Sequence, residues 1–248
     1  MGQLDWKDLE GSLSISSLKR GVTAGIAGPN GGNGYVYGYN SLTSDVVGAH
    51  AKAVAIAEFA PTGTSLAAPD GGGSASCAMK RVSSTVKTGM TPFLFICAQG
   101  ANPSVNDRAY MLGLLDSDPY KIVLAKGVMV GGIVESSDDA ATKILAVGST
   151  QYTMADGLWH HLKLNAIVQP NGDVVLKVYE SNLAIRTVDN PNWTPVPGFD
   201  SDGFIDDVLE INSGSSPLWG GHLGYGFAIN NALNVRGAFD AFQAFRTV

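Results

Sequence analysis

The most constraining feature of the sequence is an alternation of inward and outward residues that begins at Leu158 and ends at Tyr179. This period of two is typical of a β-strand with one buried face. The tetrapeptide Pro170-Asn171-Gly172-Asp173 interrupts the alternation, and Asn-Gly is the strongest short signal for a two-residue hairpin turn. The segment therefore predicts an antiparallel hairpin whose inward face carries His160, Leu162, Leu164, Ala166, Val168, Val174, Leu176 and Val178. We expect His160 to be a hydrogen-bonded core residue.

Short segments of similar character recur along the chain and are separated by turn residues, as in Asp116-Ser117-Asp118-Pro119. The run at 92–98 is almost wholly apolar, which is typical of a strand covered on both faces. About ten to twelve short strands with no helix–strand alternation predict an all-β fold, an antiparallel β-sandwich. Besides the hairpin, the predicted strands are 35–39, 54–59, 76–82, 92–98, 109–115, 121–126, 223–229 and 238–246.

Residues 1–31 differ from this pattern and predict an extended N-terminal arm ahead of a sandwich domain at 32–248. Residues 5–18 suggest a short helix, although Gly11 and several serines disfavour one, and the glycine-rich stretch 25–34 predicts a loop. Two alternatives remain for the arm, namely a disordered tail or a segment that orders on a neighbouring subunit. In the second case its apolar anchors would be Leu4, Trp6, Leu9 and Leu13.

The charge pattern excludes one class of partner and favours another. Charged residues make up 15% of the chain and the net charge is −6, against about 25% charged residues in a typical globular protein. There is no basic stretch, so nucleic-acid binding has no electrostatic basis. The low charge suggests a surface that neighbouring molecules cover, and we expect a homo-oligomer.

Three further features concern location and cysteine chemistry. The N-terminus lacks the apolar segment of a secretory leader, and no run reaches the roughly 18 apolar residues of a membrane span. We therefore expect synthesis in the cytoplasm and no membrane partner. Cys77 and Cys97 fall in predicted strands, which favours buried thiols, and a disulfide is the open alternative.

Three segments resemble the concanavalin-A-like, laminin-G-like jelly roll. Residues 156–164 (DGLWHHLKL) resemble the DG-x-WH strand of laminin-G-like modules, and 172–179 resemble its hairpin partner. Residues 221–227 and 237–242 resemble the closing strands. The resemblance covers roughly 35–247 and implies the jelly-roll fold, which hosts many functions.

A second resemblance is to uncharacterised virion proteins of tailed bacteriophages. It is carried by the overall pattern of 35–38, 104–114 and 196–199. It implies a structural component of the tail or baseplate, or a capsid decoration protein. Its implied location is the virion, its implied partners are other virion proteins, and host-surface adsorption is the related alternative.

The residues that catalysis would need are missing from the expected patterns. Glycoside hydrolases use paired carboxylates, and their local pattern on this fold, E-x-D-x-E or E-x-D-x-x-E, does not match the acidic run at Glu135. No G-x-S-x-G elbow marks a nucleophilic serine. The sequence therefore favours a protein that is not an enzyme.

Two kinds of binding site remain as candidates. Trp193, Trp219 and Tyr225 are candidates for a sugar-stacking platform in a lectin-like module, because flat rings pack on the apolar faces of sugars; the alternative is that they belong to the core. Asp200, Asp202 and Asp206 around Gly203 suggest a calcium site built from hard oxygen ligands; the alternative is a solvated acidic loop. The pair Asp116 and Asp118 forms a weaker version of the same pattern, and no other cofactor is indicated.

Overall fold

The computed structural model describes residues 6–10, 12–15, 36–40, 50–57, 72–81, 89–98, 108–115, 117–128, 142–153, 158–181, 192–211, 215–230 and 235–246. These residues form fifteen β-strands, and no helix among them is long and apolar enough to cross a membrane. The strands are β1 (Trp6–Glu10), β2 (Ser12–Ile15), β3 (Val36–Asn40), β4 (His50–Ala57), β5 (Gly73–Arg81), β6 (Gly89–Ala98), β7 (Arg108–Leu115), β8 (Ile122–Val128), β9 (Thr142–Val147), β10 (Trp159–Val168), β11 (Val174–Ser181), β12 (Trp193–Pro195), β13 (Phe204–Asp206), β14 (His222–Asn230) and β15 (Val235–Arg246).

The strands form two antiparallel sheets that pack face to face. The seven-stranded sheet has the order β1-β4-β14-β6-β7-β8-β9, and the eight-stranded sheet has the order β12-β11-β10-β5-β15-β3-β2, with β13 also paired to β11. One large core lies between the sheets and takes residues from both, including Leu112, Leu124, Leu162 and Leu176. Full burial of one such side chain contributes about 1.5–3 kcal/mol. The predicted all-β antiparallel sandwich is confirmed.

The predicted hairpin is confirmed as β10 and β11, which pair in register from His161 opposite Ser181 to Val168 opposite Val174. The turn is closed by the amide of Gln169, which donates to the carbonyl oxygen of Asp173 (2.8 Å). Gly172 has φ +92°, a left-handed conformation that the Asn-Gly turn requires.

The central strands of the seven-stranded sheet are buried on both faces. Residues 92–98 are all buried, as the apolar run predicted. Beyond the main core, a second apolar cluster lies on the opposite face of this sheet and includes Phe93, Phe95, Met111 and Val123. Cys77 and Cys97 are buried thiols, one in each sheet, as the sequence favoured.

The expected helix at residues 5–18 is wrong. Strand β1 pairs with β4 at the edge of one sheet, and β2 pairs with β3 at the edge of the other. Serine-rich segments gain little from a helix, whereas an open sheet edge supplies backbone hydrogen-bond partners to residues 6–10 and 12–15. Trp6 and Leu9 lie in β1, Leu13 lies in β2, and Leu4 is outside the described residues. Docking of this arm on a neighbouring subunit stays a prediction.

Candidate functional site

The connection that follows the hairpin runs back along the edge of the eight-stranded sheet. Strand β12 pairs with the end of β11, where Trp193 lies opposite Ser181. Strand β13 pairs with the beginning of β11, where Asp206 lies opposite Val174. The connecting segment is therefore fixed by pairing at two points, and these points lie at opposite ends of β11.

Asp206 belongs to a buried group that we call the polar triad, with Lys126 and Tyr110 as the other members. The Lys126 Nζ atom lies 2.6 Å from Asp206 Oδ2, and both side chains are 0% exposed. The Tyr110 hydroxyl donates a hydrogen bond to the same Oδ2 atom. The Leu218 amide in turn donates to the Tyr110 oxygen (2.9 Å), which orients the hydroxyl proton towards the carboxylate.

The electrostatics of the polar triad follow from burial. Loss of hydration lowers the pKa of Lys126, and the neighbouring Asp206 carboxylate opposes that change. Burial and the same carboxylate both raise the pKa of Tyr110, which keeps the phenol protonated. Lys126 also donates to the carbonyl oxygen of Ser215 (2.6 Å). The polar triad thereby joins β7 and β8 of one sheet to β13 of the other.

Directly after Asp206 the chain forms an apolar loop (residues 207–211) with an unusual surface. Leu209 is 74% exposed and Ile211 is 73% exposed, while Val208 is 41% exposed. The loop is nevertheless held by defined hydrogen bonds. The Val208 amide donates to Asp173 Oδ1 (2.9 Å), and the Ile211 amide donates to Asp207 Oδ1 (3.1 Å).

Trp219 lies beside the hairpin turn. Its Nε1 donates to the carbonyl oxygen of Gly172 (2.8 Å). A Cβ added at Gly172 would lie 3.0 Å from Val208 Cγ1 and 3.6 Å from Trp219 Cζ2. The hairpin turn, the apolar loop and Trp219 therefore pack together at one end of the sandwich.

The calcium site predicted from Asp200, Asp202 and Asp206 is not assembled. Asp206 points inward to Lys126 and Tyr110, so its carboxylate is unavailable for an outer ligand. Asp200 Oδ1 accepts from the amide of Asp202 (2.9 Å) in a solvent-exposed turn. Within the part of the chain that the structure describes, no three His, Cys, Asp or Glu side chains are grouped to hold a metal ion. Asp118 is exposed, and Asp116 lies outside the described residues.

The three rings predicted to form a sugar platform lie in three different environments. Tyr225 is 3% exposed and packs on Phe239 in the core (ring centroids 4.7 Å apart), so it offers no face to a sugar. Trp219 is half-buried beside Gly172, and Trp193 lies at the other end of β11. The alternative of a core role therefore holds for Tyr225.

Trp193 has other aromatic and cationic neighbours, and together they form an aromatic surface on the outer side of the eight-stranded sheet. Its ring packs on that of His161 (centroids 4.6 Å apart). The Lys163 Nζ atom lies 5.5 Å from the Trp193 ring and 5.9 Å from the Tyr179 ring, within the range of cation–π attraction. Burial lowers the pKa of Lys163. The aromatic surface thus consists of two half-buried rings with an ammonium between them.

His160 is the hydrogen-bonded core residue that the sequence predicted. Its Nε2 atom lies 2.9 Å from the Tyr120 hydroxyl, and its ring makes an edge contact with Tyr152 (4.6 Å). Burial lowers the pKa of His160 to about 4, so the imidazole is neutral at pH 7. The geometry supports a structural role.

Sequence reasoning missed the polar triad. The signal was present, because Lys126 is the last residue of the apolar segment KIVLAK and a lysine at a buried strand position needs a partner. The partner, Asp206, lies far away in sequence, in a segment whose sequence suggests a calcium site or a solvated acidic loop.

No protein-family model matches the sequence, and no curated protein is significantly similar to it. The structure has distant similarity to a carbohydrate esterase from the Shiga toxin-encoding bacteriophage phi24B (13% identity, 98% of this chain and 89% of that chain, TM-score 0.46). It is also similar to the cellulose induced protein Cip1 (9% identity, 97% of this chain and 90% of that chain, TM-score 0.44).

A third similar structure is the VIP36 exoplasmic/lumenal domain in its Ca2+/Man3GlcNAc-bound form (12% identity, 98% of this chain and 83% of that chain, TM-score 0.40). At these identities and scores the likeness carries no information on activity or ligand. The fold is defined by the two antiparallel sheets of this chain itself.

Proposed function

We propose that this chain is a non-enzymatic structural component of a tailed-phage virion, in the tail or baseplate or as a capsid decoration protein. It docks on neighbouring virion subunits through the apolar loop. The observation that carries the proposal is the exposure of Leu209 (74%) and Ile211 (73%) on a loop that hydrogen bonds hold in one conformation. Exposed apolar side chains in a preorganised segment favour association, because little conformational entropy is lost on binding.

The surroundings of the loop indicate the chemistry of its partner. Asp207 and Glu210 lie within the loop, and the acidic turn with Asp200 and Asp202 precedes it in the chain. A complementary subunit surface would combine an apolar pocket with lysine or arginine at its rim. Such charge complementarity fixes the orientation and speeds the encounter more than it raises affinity.

The test compares purified virions of the phage that encodes this chain, with parent and variant genes, by quantitative mass spectrometry. The double substitution Leu209→Ser with Ile211→Ser is expected to lower the copy number per particle on the order of tenfold, which corresponds to about 1.4 kcal/mol. The matched control is Ile167→Ser, since Ile167 is a 39% exposed apolar residue on the hairpin. If the parent chain is missing from the particles, the virion assignment is wrong; if the double variant is incorporated like the parent, the apolar loop is not the docking element.

A second candidate function, carbohydrate binding in host-surface adsorption, is favoured by the aromatic surface. Trp193 and Tyr179 flank the Lys163 ammonium, and this combination supplies both a stacking ring and a hydrogen-bond donor for a sugar. A glycan array with parent, Trp193→Ala and Trp159→Ala proteins tests it, the last being a control on the same face of the eight-stranded sheet. Binding that Trp193→Ala alone abolishes would support the lectin function, and an empty array for the parent would contradict it.

A further inference from the structure

The contact between Lys126 and Asp206 has the geometry of a reaction pair as well as that of an ion pair. The Lys126 Nζ and Asp206 Oδ2 atoms are 2.6 Å apart, and both side chains are completely removed from solvent. We infer that Lys126 and Asp206 condense into an intramolecular amide (isopeptide) bond that links the two sheets covalently. This is a modification of the fold itself and is independent of the proposed docking function.

The burial of Lys126 favours its amine form, which is the nucleophile of the reaction. Transfer of one proton from the ammonium to the carboxylate gives an amine and a carboxylic acid, and it removes two charges from a site that is closed to solvent. Burial lowers the pKa of Lys126, which favours the amine. The attacking group is held against its target, and such fixed geometry replaces the entropy cost of a bimolecular encounter.

The condensation balances without a co-reactant. After the proton transfer, the lone pair of Lys126 Nζ attacks Asp206 Cγ and the N–C bond forms. The nitrogen then gives a second proton to Oδ2, the Cγ–Oδ2 bond breaks with its electron pair on oxygen, and Oδ2 leaves as water. The products are one amide and one water molecule, and no atom changes its oxidation state.

Tyr110 is the catalytic residue of this step. Its hydroxyl donates to Oδ2, the oxygen that leaves, and the Leu218 amide (2.9 Å) holds the hydroxyl in that orientation. A hydrogen bond to the departing oxygen stabilises the charge that develops on it as the bond breaks. The Lys126 Nζ atom also donates to the Ser215 carbonyl (2.6 Å), which positions the nitrogen at the carboxyl group.

The first experiment is the intact mass of the purified, denatured full-length chain, followed by a peptide map. We expect a mass one water below that of the sequence, and one peptide pair joined through Lys126 and Asp206. A full mass, with no joined pair after prolonged incubation, overturns the inference and leaves an ion pair. Loss of water without a joined pair also overturns it, because Asp-Gly sequences such as Asp202-Gly203 lose water by forming a cyclic imide.

Three variants test which groups take part in the reaction. Lys126→Met is expected to restore the full mass, whereas Asp206→Asn is expected to lose ammonia in place of water. Tyr110→Phe keeps the pair but removes the donor, and it should slow joining on the order of a hundredfold in a refolding time course. Joining in Tyr110→Phe at the parent rate would overturn the catalytic role of Tyr110. The intact mass of the parent chain would still decide whether the crosslink between Lys126 and Asp206 forms.

Discussion

Two parts of one short segment reverse the usual distribution of polar and apolar residues. In β13, the polar Asp206 side chain is 0% exposed and meets Lys126 inside the sandwich. In the apolar loop that follows, Leu209 is 74% exposed in solvent. A carboxylate inside and a leucine outside both cost free energy in an isolated chain. The difference teaches that this end of the molecule buries a polar link between the two sheets and exposes an apolar surface to solvent.

The largest expected effect concerns the buried pair of Lys126 and Asp206. Lys126→Met leaves the Asp206 carboxyl group buried without its partner, and we expect the free energy of unfolding to fall by about 3–5 kcal/mol. The double variant Lys126→Met with Asp206→Leu should regain part of that loss, because no buried charge remains. Urea denaturation measures both. A loss below about 1 kcal/mol in the single variant would indicate that water reaches the pair.

The next effect concerns His160, a second buried polar group. Its pKa falls from 6.5 to about 4 on folding, so the unfolded chain binds more protons between these values. Stability is therefore complete above pH 6.5 and falls as the pH drops towards 4, by up to about 3 kcal/mol. The measurement is urea unfolding at several pH values for the parent and for His160→Gln. The variant should lack this part of the pH dependence, and parallel curves would contradict a buried neutral imidazole.

A smaller effect is expected at the hydrogen bond that links the hairpin turn to the apolar loop. Asp173→Ala removes the acceptor of the Val208 amide, and we expect a loss of about 1 kcal/mol together with faster amide exchange in the apolar loop. Asp173→Asn is the matched control, because its side-chain oxygen still accepts the hydrogen bond. Equal behaviour of the two variants would show that this bond does not hold the loop.

The smallest effect concerns the exposed side chains of the apolar loop. Leu209→Ser with Ile211→Ser should change the free energy of unfolding by less than about 0.5 kcal/mol, since both side chains are already in solvent. Thermal unfolding of the purified chain measures it. A large destabilisation would mean that the loop packs on its own chain, and the docking proposal would lose its basis.

The fold was predictable wherever the signal was local. The hairpin at 158–179 follows from the alternation of residues and one Asn-Gly turn. The burial of 92–98 on both faces of the sheet follows from an apolar run. The helix at 5–18 was wrong, because a sheet edge supplies partners that the segment alone does not reveal. The sequence shows that Lys126 needs a partner but does not show which one, because the members of the polar triad come from β7, β8 and β13 and only the packed sheets bring them together.

The apolar cluster on the second face of the seven-stranded sheet has a consequence for how the molecule opens. Strands β6 and β7 have hydrogen-bonded neighbours on both sides and buried apolar side chains on both faces. Their amide protons can reach deuterium only when the whole sandwich unfolds. In a deuterium-labelling experiment these two strands should therefore be the last to exchange, and their rate should report the global stability of the protein.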